Sequence, residues 1–245
     1  MHLQFVGCGD AFGTGGRFNT CFHLVGREVN ALIDCGATSL VGLNKLAINR
    51  NDISTIFISH FHADHIGGLP FLLLEANYIL KRTRGLTVAG PPGLKSRYGE
   101  IMETAFPGTK TLQLSFPLTL RELEIGKRNE VGGVRVTAFH VVHDDRAGPC
   151  LGLRFEAEGK IIAYSGDTQW TDSLIEVGRN ADLFICEAYT RDKPIHTHMA
   201  LSALEKHLDR IKPKRLVLTH MSNDMLARRA ELPFDTAEDG MTVEL

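Results

Sequence analysis

The stretch "FISHFHADHIGG", residues 57–68, places three of the chain's 11 histidines and one aspartate within six positions. It follows a β-branched apolar run and precedes two glycines, which is typical of a strand that ends in a loop. The carboxyl ends of strands in α/β folds are where ligands bind. Imidazole and carboxylate groups suit borderline divalent ions, so His60, His62, Asp64 and His65 predict a metal site for Zn²⁺, with Mn²⁺ or Fe²⁺ as alternatives.

The composition predicts a globular protein with a sizeable hydrophobic core and no overall charge bias towards nucleic acid or membranes. The chain has 245 residues, 43% of them hydrophobic and 23% charged, and we expect one domain over residues 1–245. A formal net charge of −2 gives no global attraction to nucleic acid or membranes. Five cysteines, an odd number with no C-x-x-C pair, argue against a disulfide framework. With no signal-peptide pattern at the start, a cytoplasmic location is expected.

Apolar runs bounded by Gly, Asp or Pro alternate with helical patterns along the chain. The predicted strands cover residues 3–7, 20–26, 29–36, 55–60, 86–90, 134–142, 151–157, 160–167, 182–188 and 215–220. The predicted helices cover residues 68–82, 93–106 and 199–211. This alternation favours a layered α/β fold with two sheets inside and helices outside.

Further metal-ligand candidates stand at the ends of other predicted strands. Asp167 ends "IIAYSGD", His220 ends "RLVLTH" and His143 ends "TAFHVVH". Three strands that each close with a good ligand are difficult to explain by chance. His60 and His62 can converge on one ion, while Asp64 and His65 can face a second ion nearby.

The H-x-H-x-D-H motif, the distant histidine, "SGDT" and the late "TH" resemble the metallo-β-lactamase superfamily along nearly the whole chain. The resemblance implies a four-layer αββα sandwich with two metals at one edge. It implies that the ligands are distributed as follows: His60, His62 and His143 for the first metal, Asp64, His65 and His220 for the second, and Asp167 bridging them. It also implies a role in catalysis for Asp64, since an Asp here is usual in the binuclear hydrolases of the superfamily.

His140 is an alternative to His143 as the third ligand of the first metal. The two residues lie three apart in one strand-like run, so alternation places them on opposite faces. His143 is favoured because it is nearer the end of the strand. We expect His140 to be a core histidine or to support a ligand.

Two further residues resemble the proton-transfer pair of the ribonuclease Z-like branch. Glu187 ends the strand "DLFIC", and His198 comes 22 residues before His220. The resemblance implies that they serve proton transfer, and the ordinary pKa of histidine suits His198 as a general acid. Asp34, in "ALIDCG", resembles the aspartate that orients a metal-bound imidazole.

These features together favour a binuclear phosphodiesterase in which a metal-bridging hydroxide attacks a small nucleotide diester. Ribonuclease Z carries a long tRNA-clamping arm between the third metal histidine and the bridging Asp. Only 24 residues separate His143 from Asp167, which leaves no room for this arm. We therefore expect a small or short nucleotide substrate, no membrane partner, no strong nucleic-acid surface, and a chain compatible with a homodimer.

Two alternatives remain open from sequence. The first is a lactone or ester hydrolase like acyl-homoserine lactonases, since "LPFLLLEANYIL" could line an acyl pocket, although helix packing or a dimer face explains it better. The second is a non-catalytic metal-binding protein. Seven His and Asp ligands for two ions leave open positions for water, which favours catalysis over a structural site.

Overall fold

The structure is a computed structural model that describes the backbone of residues 1–245 and every side chain except that of Ala147. Within these residues the strands are β1 (His2–Gly7), β2 (Cys21–Val25), β3 (Asn30–Ile33), β4 (Thr55–Phe57), β5 (Leu86–Gly90), β6 (Leu118–Glu122), β7 (Arg128–Val131), β8 (Val134–Val141), β9 (Cys150–Ala157), β10 (Lys160–Tyr164), β11 (Leu183–Glu187), β12 (Leu216–Thr219), β13 (Asp235–Thr236) and β14 (Thr242–Glu244). The α-helices are α1 (Ser39–Lys45), α2 (Ala63–Ile66), α3 (Leu69–Tyr78), α4 (Leu94–Ala105), α5 (Ser173–Gly178), α6 (Leu201–Glu205), α7 (Leu208–Ile211) and α8 (Asn223–Arg228). No helix of the described chain is long and apolar enough to span a membrane.

The strands form two seven-stranded sheets of matching design. The first has the order β14-β1-β2-β3-β4-β5-β6 and the second β13-β12-β11-β10-β9-β8-β7. Each sheet is antiparallel in one half and parallel in the other. The ten strands predicted from sequence are the ten inner strands, and the prediction missed all four edge strands.

Three apolar layers hold the sheets and helices together. Between the sheets, Phe22 meets Tyr164 with ring centroids 5.2 Å apart, and Phe57 meets Phe155 at 5.0 Å. A second apolar cluster joins the first sheet to α1, α3 and α4, and a third joins the second sheet to α5–α8. Burial of apolar surface on both faces of each sheet is the main driving force for this arrangement. The predicted four-layer αββα sandwich is confirmed.

One predicted helix differs in the structure. Residues 199–211 form two short helices, α6 and α7, instead of one. His207, which lies between them, has φ −122° and stacks on Trp170 with centroids 3.8 Å apart and planes within 8°. The helical pattern of leucines is kept, but the chain turns at Lys206 and His207, between the two helices.

The parallel strands bring the candidate residues to one edge of the sandwich. Asp34 follows β3, Asp167 comes shortly after β10, Glu187 ends β11 and His220 follows β12. Asp34 and His220 adopt left-handed backbone conformations, with φ +60° and +55°. Such conformations are uncommon for residues other than glycine and cluster at functional sites. They turn the chain sharply just after each strand.

A long-range contact fixes the loop between β1 and β2 beside this edge. Asp239 accepts hydrogen bonds from the backbone N–H groups of Cys8, at 3.1 Å, and Phe18, at 2.8 Å. The carbonyl of Cys8 accepts a bond from the N–H of His220 at 3.1 Å. The loop is therefore held at both ends by residues from the last part of the sequence.

Gly36→Ala tests how tightly the site edge is packed. An added Cβ at Gly36 would lie 2.1 Å from the Asp64 carbonyl oxygen, so the backbone must shift. We expect a loss of about 1–3 kcal/mol in the free energy of unfolding and weaker metal binding. Thermal unfolding and metal titration measure both. Gly85→Ala is the matched control, since its added Cβ would meet nothing closer than 3.7 Å; equal stability of the two variants would contradict the prediction.

Candidate metal centre

Three histidines converge at the end of β4 and β8. The distance from His60 Nε2 to His62 Nδ1 is 3.2 Å, and from His62 Nδ1 to His143 Nε2 it is 3.0 Å. Two nitrogens that bind one ion at about 2.0–2.1 Å must lie within about 4.2 Å of each other. The structure therefore brings together the three residues predicted for the first metal.

A second group lies directly beside the first. His65 Nε2 is 3.2 Å from Asp64 Oδ2 and 3.3 Å from Asp167 Oδ2, and His220 Nε2 is 3.2 Å from the same Asp167 oxygen. The ligand atoms of these four residues lie within 4.8 Å of one another. Asp167 Oδ2 is also 3.9 Å from His143 Nε2, so its carboxylate stands between the two groups.

The chemistry of these donors fits divalent cations. His65 Nε2 and Asp167 Oδ1 are buried and have no hydrogen-bond partner among the described residues. Burial lowers the pKa of His60 well below its ordinary value, which keeps its imidazole neutral and able to bind a metal. At His65, burial acts in the same direction, but Asp167, Asp64 and Asp34 outweigh it and raise the pKa well above its ordinary value. The three carboxylates thus favour a positive charge beside His65, whether a proton or a bound cation.

Asp34 orients one histidine of each ligand group through hydrogen bonds. Its side chain is fully buried, and Oδ2 lies 2.7 Å from His65 Nδ1. It also accepts hydrogen bonds from the Ser59 N–H, at 2.7 Å, and the Ser59 hydroxyl, at 2.8 Å. Ser59 Oγ is 3.1 Å from His60 Nδ1, so Asp34 orients His65 directly and His60 through Ser59.

Asp34→Asn is expected to weaken metal binding about 10–100-fold, since a carboxylate that orients a metal-bound imidazole is worth about this much. The Ser59 N–H donates to Oδ1, whereas the Ser59 hydroxyl and His65 Nδ1 share Oδ2. An amide has a single acceptor oxygen, so it cannot accept at both positions. Asparagine tolerates the left-handed backbone at this position, so the fold should remain. Competition with a chelator, with metal content as readout, measures the loss. Ser59→Ala should weaken binding only of the ion that His60 holds. Equal metal affinity of Asp34→Asn and the wild type would contradict the orienting role of Asp34.

His140 does not belong to the centre, and the expectation that it is a core or supporting histidine is wrong. Its side chain is 49% exposed, and Nε2 lies 3.5 Å from Asp145 Oδ1. β8 ends at Val141, so the alternation of this strand does not extend to His143. His140 has the parity of Val134, Val136 and Ala138, which are buried between the sheets, but the alternation of burial breaks near the end of β8 and leaves the His140 side chain exposed.

Glu187 and His198 form a pair next to the second ligand group. His198 Nδ1 lies 2.9 Å from Glu187 Oε2, and Glu187 is fully buried. The other oxygen of Glu187 accepts hydrogen bonds from the N–H groups of Thr168 and Met199. Both carboxylate oxygens are thus used, so Glu187 is a poor metal ligand although it lies within the reach of one.

The Glu187 carboxylate also sets the proton affinity of His198. Burial would lower the pKa of His198, but the hydrogen bond and the charge of Glu187 outweigh it and raise the pKa to about 9. Because Nδ1 is bound to Glu187, Nε2 is the nitrogen that remains to donate a proton. His198 is therefore protonated at neutral pH.

Sequence reasoning missed three residues of this site. The backbone carbonyl oxygen of Thr197 lies 2.9 Å from His143 Nδ1 and orients that ligand. Its φ of +73° is rare for a β-branched residue. Tyr189 stacks on the His198 ring with centroids 4.7 Å apart and planes at 27°. A contact made by a backbone carbonyl leaves no signal in the sequence. Tyr189 lies two residues after Glu187, but no motif indicates that its ring stacks on His198.

The two ligand groups lie in the wall of a cavity of about 230 Å³. Its lining is Ala11, Phe12, His62, Asp64, His143, Asp144, Asp167, Tyr189, Thr197, His198 and His220. Phe12, the third missed residue, stands in a glycine-rich loop. No part of α3 belongs to this lining, and its leucines instead pack in the apolar cluster over the first sheet. The stretch "LPFLLLEANYIL" is thus helix packing and not the wall of this cavity.

The sequence was compared with known proteins. Residues 1–237 match the family described as anti-Pycsar protein Apyc1. The chain belongs to this family. It is also similar to ribonuclease Z of Agathobacter rectalis, 27% identical over 89% of this chain and 86% of that protein. Ribonuclease Z of Geobacillus kaustophilus is 28% identical over 91% and 89%.

These two alignments run over 273 and 279 positions, more than the 245 residues of this family member. The two ribonuclease Z proteins therefore carry segments that it lacks. Among solved structures, the human short-form tRNase Z (ELAC1) has a TM-score of 0.79 and 25% identity over 100% of this chain and 99% of that one. The metallo-β-lactamase fold protein YhfI from Bacillus subtilis has a TM-score of 0.79 and 19% identity, covering 99% of both chains, and supports the fold alone.

The family member is a metal-dependent hydrolase of the phosphodiesterase type, in the ribonuclease Z-like branch of the metallo-β-lactamase superfamily. This confirms the resemblance drawn from H-x-H-x-D-H, "SGDT" and the late "TH". A non-catalytic metal-binding role, the second alternative from sequence, is not supported by these relatives.

Proposed function

We propose that this protein hydrolyses small nucleotide phosphodiesters with two divalent ions, zinc being the metal that best suits the donors. One observation carries the proposal. Two groups of ligand atoms lie side by side at one cavity, with Asp167 Oδ2 of the second group 3.9 Å from His143 Nε2 of the first, and the protonated His198 lines the same cavity. A binuclear centre with a proton donor beside it is the arrangement that cleavage of a stable diester needs.

The positions of these side chains support the distribution of ligands that the sequence analysis expected. His60, His62 and His143 would hold the first, and Asp64, His65 and His220 the second, with Asp167 shared between them. When bound, the two ions supply a nucleophile at neutral pH and stabilise negative charge on the phosphoryl oxygens. Asp64 and Asp167 keep two oxygen donors among the imidazoles, which lowers the net positive charge of the loaded site.

His198 and Glu187 serve the leaving group. The alkoxide that departs from a nucleotide diester is strongly basic and needs a proton as the bond breaks. His198 carries that proton at neutral pH and has Nε2 free to donate it. Glu187 holds the ring through Nδ1, and the stacked ring of Tyr189 restricts its tilt.

The dimensions of the site favour a small substrate over a folded RNA. The cavity of about 230 Å³ is below the range of about 300–1,000 Å³ common for drug-sized ligands. No lysine or arginine is found among its lining residues, all of which the structure describes. Between His143 and Asp167 the chain forms a short 3₁₀ helix and the paired strands β9 and β10, which lie in the second sheet. An RNA-binding surface would need phosphate-pairing cations that this cavity does not offer.

Hydrolysis assays on purified protein loaded with Zn²⁺ or Mn²⁺ test the proposal. The substrates are bis-p-nitrophenyl phosphate, a nucleoside 3′,5′-cyclic monophosphate, a tRNA precursor and an acyl-homoserine lactone. We expect turnover of the two small diesters and two metal ions per chain by elemental analysis.

The control variants are Asp64→Ala, which removes a proposed ligand, and Asp172→Ala, whose side chain is 74% exposed. Diester turnover should be lost in the first and kept in the second. Lactone turnover without diester turnover, or cleavage of the tRNA precursor in preference to the small diesters, would contradict the proposed substrate class.

A further inference from the structure

Phe12 is exposed in a way that packing does not explain. Its side chain is 83% accessible, the highest value among the large apolar residues of the described chain. Of those exposed apolar residues, it alone belongs to the described lining of the cavity that holds the ligand groups. A single exposed apolar residue is common on protein surfaces, but one at the mouth of an active site is a candidate for contact with a ligand.

The loop that carries Phe12 is built to hold it in place. Asp10 is fully buried, and its carboxylate accepts hydrogen bonds from the N–H groups of Phe12, at 3.2 Å, and Thr14, at 2.9 Å. The Thr14 hydroxyl adds a third bond at 2.6 Å. The carbonyl of Asp10 accepts from Asn19 Nδ2 at 2.9 Å. The backbone around Phe12 is thus fixed by a buried charge while its ring is left in solvent.

The chemistry of the cavity says what kind of group would meet this ring. Imidazoles and carboxylates proposed as metal ligands make up much of the lining, and that role places them at the phosphoryl group of a substrate. The described lining offers no lysine or arginine to a second phosphate. Tyr189 is already stacked on His198, so Phe12 is the aromatic surface still free to meet a ligand. A ligand with a flat, uncharged ring and a single phosphodiester matches the Phe12 ring with the one and the ligand cluster with the other.

We propose that Phe12 is a specificity-determining residue that stacks on the base of a nucleotide diester while the phosphoryl group lies at the ligand cluster. This inference rests on the proposed function. Stacking on a phenyl ring tolerates every base, since each has a flat aromatic face. Phe12 therefore selects base-bearing diesters over base-free ones without selecting one base strongly.

The test compares one diester with and without its base. Wild-type and Phe12→Ala proteins, both loaded with Zn²⁺, are assayed on uridine 3′,5′-cyclic monophosphate and on the 3′,5′-cyclic phosphate of base-free 1-deoxyribose. We expect Phe12→Ala to raise KM for the uridine substrate about 10-fold, the order of a lost base–aromatic contact, with kcat within about twofold. KM for the base-free substrate should not change. Calorimetric binding of a phosphorothioate analogue of each substrate gives the same comparison without turnover.

Two further variants sharpen the result. Phe12→Trp should restore KM for the uridine substrate, and Val41→Ala, at a position 58% exposed outside the cavity lining, should behave as wild type. Equal effects of Phe12→Ala on both substrates, or none on either, would overturn the inference and leave the proposed function standing. Loss of a dimer in sedimentation with KM unchanged would make Phe12 a contact between two copies and overturn it as well. Turnover of neither diester by the wild type would contradict the proposed function and this inference together.

Discussion

Asp167→Asn is expected to lower kcat/KM for a small diester by at least about 1,000-fold, or about 4 kcal/mol of barrier. The carboxylate stands between both ligand groups, with Oδ2 3.2 Å from His220 Nε2, 3.3 Å from His65 Nε2 and 3.9 Å from His143 Nε2. An amide keeps the size of the side chain but removes the negative charge that the two proposed ions share. Both ions should therefore bind more weakly, and not only the second.

Turnover and metal content of the same preparations measure this effect. We expect fewer than two ions per chain in Asp167→Asn, with an unchanged circular dichroism spectrum. Asp172→Asn is the matched control because its carboxylate is 74% exposed and does not belong to the lining of the cavity. Unchanged turnover in Asp167→Asn would remove the binuclear mechanism.

His198→Ala should slow diesters with poor leaving groups far more than those with good ones. An alkoxide from a nucleotide needs the proton of His198, so we expect a loss of about 100–10,000-fold. The p-nitrophenolate ion departs without a proton, and turnover of bis-p-nitrophenyl phosphate should fall only slightly. Exposed His196, two positions earlier, gives the matched control His196→Ala. Equal losses on both substrates would argue against His198 as the acid.

The pH dependence provides an independent check on this pair. Activity on a cyclic nucleotide requires protonated His198, so it should persist to about pH 9 and fall above it, because the pKa of His198 is about 9. Glu187→Gln removes the charge that raises this pKa, and the alkaline limb should move to lower pH. The same pair stabilises the fold below pH 6.5, the unfolded pKa of histidine being about 6.5, and this contribution is lost as the pH rises through about 9.

The sequence predicted the inner strands because they are buried on both faces and read as continuous apolar runs. The edge strands could not be found in this way. β6 alternates between half-buried and exposed residues, and β13 has only two residues. Such strands depend on hydrogen bonds to a neighbouring strand, and the local sequence does not indicate which strand that is. The break between α6 and α7 was not predictable either, since the leucine spacing continues through it and the stacking of His207 on the distant Trp170 has no local sequence signal.

At the site, side chains that close apolar strands could be predicted, and the structure brings them together. What could not be predicted depends on loops that meet in space. Ser59 joins Asp34 to His60, and the carbonyl of Thr197 fixes His143, yet neither residue carries a recognisable motif. His140 shows the limit of alternation, which gives the face of a strand but not whether that face is covered.

The bond from Asp239 to the loop between β1 and β2 has a consequence for biosynthesis. Ribosomes deliver this loop first, but the carboxylate that binds Cys8 and Phe18 is added more than 200 residues later. His220, which is anchored on the Cys8 carbonyl, also arrives late. The histidines proposed for the first ion are all present by residue 143, so a nascent chain acquires the residues for that ion well before those for the second. The residues proposed for the second ion are therefore complete only once nearly the whole chain has been made.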